Sequence, residues 1–248
     1  MSGHSAWKNI KHKKAAIDAK RGKAWSKCAR AIIVAARSGG GDPESNLTLR
    51  YAIDEARFHN MPRETIEKAV KKGTGELAAE QYEAAIYEGY GPSGVALLLE
   101  ILTDNRNRTA PEVRTLFEKH GGRLGASGCV AYLFQPRGQI LVSKAGANEE
   151  KVMTVALEAG ALDVSDAGET WLVITETAGL TIVAHALAAA GLKVDKTELT
   201  RIPTTSVNVS AADAPRVLAL LEALEDHDDV QKVHANFEIA DEVLATLK

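Results

Sequence analysis

The first seventy-five residues carry apolar positions at helical spacing, in three runs. Between Trp25 and Ala36 the apolar residues recur every three or four positions, which predicts one amphipathic helix. Start and stop signals bound the runs: the triple glycine at 39–41, Asp42-Pro43 before the second run, and Met61-Pro62 and Gly73 around the third. We therefore predict three helices within residues 1–75.

After residue 75 the apolar pattern changes to the alternation that is typical of strands, with helical runs in between. The predicted strands are 82–88, 95–102, 129–134, 140–143, 162–165, 170–175, 195–200, 206–210 and 230–237. The predicted helices in this part are 110–119, 148–158, 180–190 and 212–224.

The order of these elements predicts an α+β protein of three domains. From residue 139 to 200 the order is βαββαβ, the split-βαβ pattern of a ferredoxin-like domain. The segments on either side of it are each too short to bury a core alone, so we expect them to form one domain together. The expected domains are residues 1–75 (basic and helical), residues 76–134 plus 203–248 (a discontinuous α/β domain), and residues 136–201 (inserted and ferredoxin-like).

Positive charge is concentrated at one end of the chain. The 248 residues have a net charge of −3, but residues 1–37 hold ten Lys or Arg against the single acid Asp18. In residues 38–75 the positive and negative charges cancel, and the rest of the chain has a net negative charge. Such asymmetry predicts a polyanionic partner for the basic end, although a solvated helix face is the plainer alternative.

The composition also limits the location of the protein. No apolar run approaches the roughly 20 residues of a membrane helix. The start of the chain lacks the features of a secretory signal, and the two cysteines form no CxxC motif. We expect a cytoplasmic protein without a membrane contact.

The candidate nucleic-acid-binding residues lie in the basic segment. They are His4, Ser5, Trp7, Lys8, Asn9, Lys11, His12, Lys13, Lys14, Lys20, Arg21, Lys23, Lys27 and Arg30. The cations can neutralise phosphates, and aromatic rings among them suit stacking on unpaired bases, which favours RNA. A buried anchoring role is the alternative for Trp7.

Arg106 and Arg108 form a second candidate contact. They follow Asp104 and Asn105, whose side chains suit a turn or a helix cap between a strand and a helix. The two arginines are harder to explain as turn residues. We predict that they either bind phosphate or join domains.

No catalytic, cofactor or metal site is predicted. The glycine runs at 39–41 and 73–75 match neither GxxxxGK[ST] nor GxGxxG. His120 with Cys129 would be a weak nucleophile–base pair, because Cys129 opens an apolar segment. Four residues near the C-terminus could in principle bind a metal ion: His227, Asp228, Asp229 and His234. Acidic loops of this kind are usually solvated instead.

Short blocks along most of the chain resemble the YebC/PmpR family. These blocks are GHSAWKNIKHKKAA at 3–16, DAKRGK at 18–23, GGGDP at 39–43, NMP at 60–62, KKGTG at 71–75, YEGYGP at 87–92, LTDNRNRT at 102–109, HGG at 120–122 and VAYLF at 130–134. The sequence departs from the family pattern at two places. Ala6 stands where lysine is commoner, and Trp25-Ser26 stands where an aliphatic or phenylalanine-threonine pair is more usual.

The resemblance implies three domains with a ferredoxin-like third domain inserted in the second, and a regulator of gene expression. Members are described as DNA-binding transcriptional regulators and as ribosome-associated translation factors, including a mitochondrial translational activator. Our first hypothesis is a translation factor that binds ribosomal RNA. The second is a regulator that binds double-stranded DNA, and the third is a protein-interaction adaptor. Proteins that read duplex DNA usually present a recognition helix at half-site spacing, and no duplicated arrangement is evident in this sequence. We expect a monomer.

Overall fold

The computed structural model describes residues 19–78, 80–240 and 243. Its first part is a helical domain made of α1 (Ala19–Gly39), α2 (Leu47–Phe58) and α3 (Arg63–Gly73). Their apolar faces meet in one core, in which Ile32, Leu49 and Ala56 are fully buried. The three predicted helices are present.

The second helix begins later than the Asp42-Pro43 signal predicts. The buried Asn46 caps it, since its Oδ1 accepts a hydrogen bond from the Leu49 amide at 3.1 Å. The Asn46 amide group donates to the carbonyls of Ala35 and Gly40, at 2.9 and 2.8 Å. Asn46 therefore ends one helix and starts the next, which leaves Asp42 to a turn.

The central domain is built on an antiparallel sheet. Its strands are β1 (Glu83–Tyr90), β2 (Ala96–Thr103), β3 (Arg123–Leu124) and β9 (Val230–Ala235), in the order β3-β1-β2-β9. Two helices, α4 (Arg106–Lys119) and α7 (Ala214–Glu225), supply Phe117 and Leu221 to its core. Two short parallel strands complete the domain: β8 (Val207–Asn208) and β10 (Phe237–Glu238).

The inserted domain has the order βαββαβ. Its elements are β4 (Phe134–Ser143), α5 (Glu149–Glu158), β5 (Asp163–Asp166), β6 (Thr170–Thr175), α6 (Leu180–Ala189) and β7 (Val194–Pro203). The sheet order is β5-β6-β4-β7, with every pair antiparallel. This is the ferredoxin-like arrangement, so the predicted α+β fold class is confirmed.

The predicted strand at 129–134 is wrong. Residues Ala131–Leu133 form a 3-10 turn, and strand β4 begins only at Phe134. The cause is the buried Glu88, whose carboxylate accepts hydrogen bonds from the amides of Gly128, Val130 and Ala131 at 2.6–2.7 Å. Amides that converge on one carboxylate cannot also form a regular strand ladder.

The predicted strand at 230–237 is interrupted at Asn236. The Asn236 Oδ1 accepts from the Ala96 amide at 2.7 Å, and the Asn236 amide donates to the Ala96 carbonyl at 3.2 Å. The chain therefore leaves the central sheet before Phe237 and pairs with β8. Within the described ranges, no helix is both long and apolar enough to cross a bilayer.

We propose domain boundaries close to residues 134 and 203, because all strand pairs of the inserted sheet lie between them. A fragment of residues 134–203 should therefore unfold in a single cooperative transition in urea. A fragment of residues 82–133 should not, because β2 pairs with β9 from the far side of the insertion. Supplying residues 204–240 should restore its structure, as seen by circular dichroism. Cooperative unfolding of residues 82–133 alone would contradict these boundaries.

Candidate nucleic-acid interface

The predicted site residues divide into those that the structure describes and those that it does not. His4, Ser5, Trp7, Lys8, Asn9, Lys11, His12, Lys13 and Lys14 lie outside the described residues. Lys20 and Arg21 belong to α1, whose side chains are described from residue 22 onward. The described members of the set are Lys23, Lys27, Arg30, Arg106 and Arg108.

Lys23, Lys27 and Arg30 project from one face of α1 onto the end of α7. Three hydrogen bonds run from them to main-chain carbonyls: Lys23 Nζ to Asp226 O (3.2 Å), Lys27 Nζ to Glu225 O (2.5 Å) and Arg30 Nη1 to Asp228 O (2.7 Å). The last carbonyls of a helix lack partners within the helix and carry partial negative charge. The basic face of α1 thus stabilises the C-terminal end of a helix in the central domain.

The buried Asp229 is the centre of this contact. Its Oδ1 lies 2.7 Å from Arg30 Nη1, and its Oδ2 lies 2.9 Å from Arg108 Nη2. The Thr109 hydroxyl donates to the same Oδ2 at 2.7 Å. The structure therefore brings Arg30 and Arg108, from the two separate candidate segments, to one carboxylate that is only 2% exposed.

This environment keeps Asp229 ionised. Burial alone would raise the pKa of its carboxyl group, but hydrogen bonds from Thr109, Arg108 and Thr103, together with the Arg30 charge, outweigh burial. The net effect lowers the pKa from 3.8 to about 2. The carboxylate is charged at neutral pH, and both arginines retain their partner.

The second candidate contact is also tied into the fold. Arg106 Nε lies 2.8 Å from Glu83 Oε2, and Arg106 Nη2 donates to the Ala84 carbonyl at 2.8 Å. Arg108 also pairs with Asp104 at 2.7 Å. The Arg108–Asp229 pair joins the two chain segments of the central domain, while binding of phosphate by either arginine stays a prediction.

An open cleft of about 680 Å³ lies where α1 meets α4 and the 226–229 loop. Its charged lining has both signs. The cationic members are Lys23, Arg30, Arg108 and Lys119, and the acidic members are Glu112, Asp226, Asp228 and Asp229. Such a mixed lining matches a contact between two parts of the protein better than it matches a phosphate track.

The helical domain also contacts the inserted domain. The Tyr51 and Thr181 hydroxyls form a 2.9 Å hydrogen bond. Lys196 of β7 lies 3.0 Å from Glu55 Oε2, and its Nζ stands 5.0 Å from the centre of the Phe58 ring. The helical domain is thus fixed to both of the other domains.

A cationic face on α3 was not among the predicted site residues. Lys68, Lys71 and Lys72 are exposed and lie at helical spacing on one side of the helix. None of the three forms an ion pair with another residue in the described part of the chain. The spacing of these lysines in the sequence could have indicated a cationic face. Lysines near a helix C-terminus are, however, also favoured by the helix dipole, so the spacing alone does not indicate a binding site.

Two family models match nearly the whole chain. Residues 5–76 match the TACO1/YebC protein N-terminal domain, and residues 82–237 match the TACO1/YebC second and third domain. This chain belongs to the TACO1/YebC family. The resemblance to the YebC/PmpR family that the sequence blocks indicate is confirmed.

Relatives of this TACO1/YebC protein are similar over their full length. A protein of Dictyoglomus turgidum is 52% identical over 248 residues, which is all of both chains. One of Persephonella marina is 54% identical over 246 residues, or 98% of each chain. Both are named probable transcriptional regulatory proteins. The crystal structure of a conserved hypothetical protein from Aquifex aeolicus has a TM-score of 0.86 and 50% identity, covering 95% of this chain and 97% of that one.

The surroundings of the two cysteines in this TACO1/YebC protein alter the pKa of each thiol. Burial, together with the nearby Glu88 carboxylate, raises the pKa of the Cys129 thiol. Burial also raises the pKa of Cys28 to about 12. Both changes favour the unreactive thiol over the thiolate. Across the described ranges, no three His, Cys, Asp or Glu side chains are grouped so as to hold a metal ion.

The Asp229 contact should make a measurable contribution to stability. Asp229→Asn should lower the free energy of unfolding in urea by about 1–3 kcal/mol near neutral pH, because two arginines lose a charged acceptor. Asp226→Asn is the matched control, since Asp226 is exposed and offers its main-chain carbonyl to Lys23. The control should change the free energy by less than about 0.5 kcal/mol.

The pH dependence of this effect has a defined direction. Folding lowers the pKa of Asp229, so its stabilisation is present above about pH 4 and is lost as the pH falls towards 2. The difference between wild type and Asp229→Asn should shrink over that range. Equal destabilisation by the two variants near neutral pH would show that Asp229 does not organise the contact.

Proposed function

We propose that this protein is a nucleic-acid-binding regulator of gene expression that acts on RNA in association with the ribosome. The observation that carries the proposal is the division of positive charge along the N-terminal region. Lys23, Lys27 and Arg30 contact α7 and Asp229, whereas six further Lys or Arg precede them, against one acid. We assign phosphate binding first to those six: Lys8, Lys11, Lys13, Lys14, Lys20 and Arg21.

RNA is favoured over DNA because His4, Trp7 and His12 alternate with these cations. Aromatic rings beside positive charges suit unpaired bases, which folded RNA exposes in loops and bulges. Readers of duplex DNA usually place a recognition helix in the major groove. On α1 the described cationic face meets another domain instead, which makes it a poor recognition helix.

Double-stranded DNA is the second candidate target. The names of the relatives, probable transcriptional regulatory proteins, favour it. The exposed Lys68, Lys71 and Lys72 would serve a duplex backbone as well as a single strand, because phosphate contacts carry no sequence information. Duplex DNA is therefore the comparison ligand for the deletion described next.

Deleting residues 2–17 should weaken binding to a single-stranded RNA and flatten its salt dependence. The deletion removes four lysines but leaves α1, which begins at Ala19, intact. At about 0.7 per phosphate contact, the slope of log affinity against log salt should fall by roughly 3. Fluorescence anisotropy at several salt concentrations measures it.

A second variant, Lys68→Gln with Lys71→Gln, removes two exposed charges from α3 and tests that helix separately. If α3 also tracks phosphates, its slope should fall by about 1.4. An unchanged slope would restrict binding to the N-terminal segment. Binding that is insensitive to salt and survives the deletion would point to a protein-interaction adaptor.

Trp7→Ala should separate RNA from DNA as the target. For an RNA-binding protein, the variant should lose co-sedimentation with ribosomes while retaining weak, salt-sensitive binding to polyanions. Lys11→Ala with Lys13→Ala should instead weaken binding to all polyanions alike.

Thermal unfolding of each variant shows whether Trp7 serves the fold rather than the ligand. In that case stability and both kinds of binding should fall together. A folded wild-type protein that fails to associate with ribosomes, yet protects a particular duplex at physiological salt, would replace the RNA proposal with the DNA one.

A further inference from the structure

We propose that Tyr132 and the loop that carries it form a second RNA contact, in which the tyrosine ring stacks on an unpaired base. The inference rests on the proposed function and adds a site to it. Tyr132 is 73% exposed, the largest value among the exposed large hydrophobic side chains of the described residues. A ring so exposed contributes little to the protein core, so its position calls for another explanation.

The loop beneath Tyr132 is held by a buried carboxylate. Glu88 is 4% exposed, and it accepts hydrogen bonds from the amides of Gly128, Val130 and Ala131. Burial would raise the pKa of Glu88, but these three amides outweigh burial and lower it. The charged carboxylate thus holds the chain on the N-terminal side of Tyr132.

Further contacts fix both ends of the loop. The Tyr90 hydroxyl donates to the Cys129 carbonyl at 3.0 Å. On the other side of Tyr132, the Leu133 carbonyl accepts from the Thr204 amide at 2.8 Å and from its hydroxyl at 3.2 Å. A side chain on a fixed loop loses little backbone entropy when it binds a ligand. The loop is therefore preorganised for binding.

Positive charge lies on the same edge of the central domain. The exposed Arg123 stands over the Tyr90 ring, 5.4 Å from its centre, and Tyr90 is the residue bonded to Cys129. The Arg216 guanidinium lies against the backbone of Gly121, two residues before Arg123. Arg216 is 61% exposed, and its ion pair with Asp213 is long at 3.8 Å. Arg123 therefore contacts the tyrosine that holds Cys129 of the loop, and Arg216 contacts the chain two residues before Arg123.

This combination fits a single-stranded RNA segment better than a protein partner. The residues before the ring, Gly125–Gly128, are small and exposed, so they leave space beside it. A base stacked on Tyr132 would place its neighbouring phosphates within reach of cations along this edge. Exposed arginines beside an aromatic ring are the usual components of a single-strand groove.

The test measures binding of the full-length protein to a fluorescein-labelled single-stranded oligoadenylate and to the duplex of the same strand with oligouridylate. Tyr132→Ala should weaken single-strand binding about five- to a hundred-fold and change duplex binding less than about twofold. Tyr132→Trp should keep the affinity, and RNA should quench more indole fluorescence in this variant than in the wild-type protein, whose tryptophans are Trp7, Trp25 and Trp171. The matched control is Ile182→Ala, which truncates a side chain that is 63% exposed on α6 and should leave binding unchanged.

The stability and the binding of Tyr132→Ala together test the stacking contact. Because Tyr132 is exposed, Tyr132→Ala should keep the thermal unfolding temperature of the wild type. Equal single-strand affinity of wild type and Tyr132→Ala overturns the stacking contact, as does a wild-type protein that does not bind the oligoadenylate. Lost ribosome co-sedimentation with unchanged RNA affinity also overturns it, and assigns the ring to a protein contact. The proposed function is judged separately, by whether the wild-type protein co-sediments with ribosomes.

Discussion

One buried carboxylate organises the contact between the helical domain and the central domain. Asp229 receives Arg30 from the helical domain and Arg108 with Thr109 from the central domain, so a single side chain links three segments that are distant in sequence. Its burial would be costly if the charge were unpaired, but the hydrogen bonds that surround it lower its pKa instead. Next to it, Lys23 and Lys27 occupy the carbonyls at the end of α7. Charged and polar contacts therefore hold α1 against the end of α7.

This use of charge changes the meaning of the basic N-terminal region. A high count of lysines and arginines indicates a polyanion partner only to the extent that the cations are available to it. On α1 the described cations already have acceptors within the protein, and a ligand would have to displace those acceptors. The remaining positive charge lies before Lys23 in the sequence and on the exposed side of α3. These cations are the ones that we propose for nucleic-acid binding.

Much of the fold could be predicted from the sequence, because helices and strands follow local periodicity and glycine stops. The predictions failed where one polar side chain acts across the chain. Glu88 turns the apolar segment after Cys129 into a loop from about 40 residues away, and Asn46 caps α2 while it bonds to α1. The role of Arg108 depends on Asp229, which is 121 residues further on. Composition and spacing do not indicate which residues pair over such distances. The sequence therefore predicts candidate cations, but it does not distinguish those that pair within the protein from those that are available to a ligand.

The two buried carboxylates, Glu88 and Asp229, stabilise the protein through interactions that are shielded from solvent. Glu88 is satisfied by neutral amides, and Asp229 by arginines at a site that is 2% exposed. Interactions between buried groups are screened far less by salt than those between exposed charges. Rising salt should therefore weaken the proposed contacts of exposed lysines with phosphate, while the Arg30–Asp229 pair and the hydrogen bonds to Glu88 persist. A salt dependence of RNA binding would then reflect the number of phosphates that the protein contacts, and not a loss of contact between its domains.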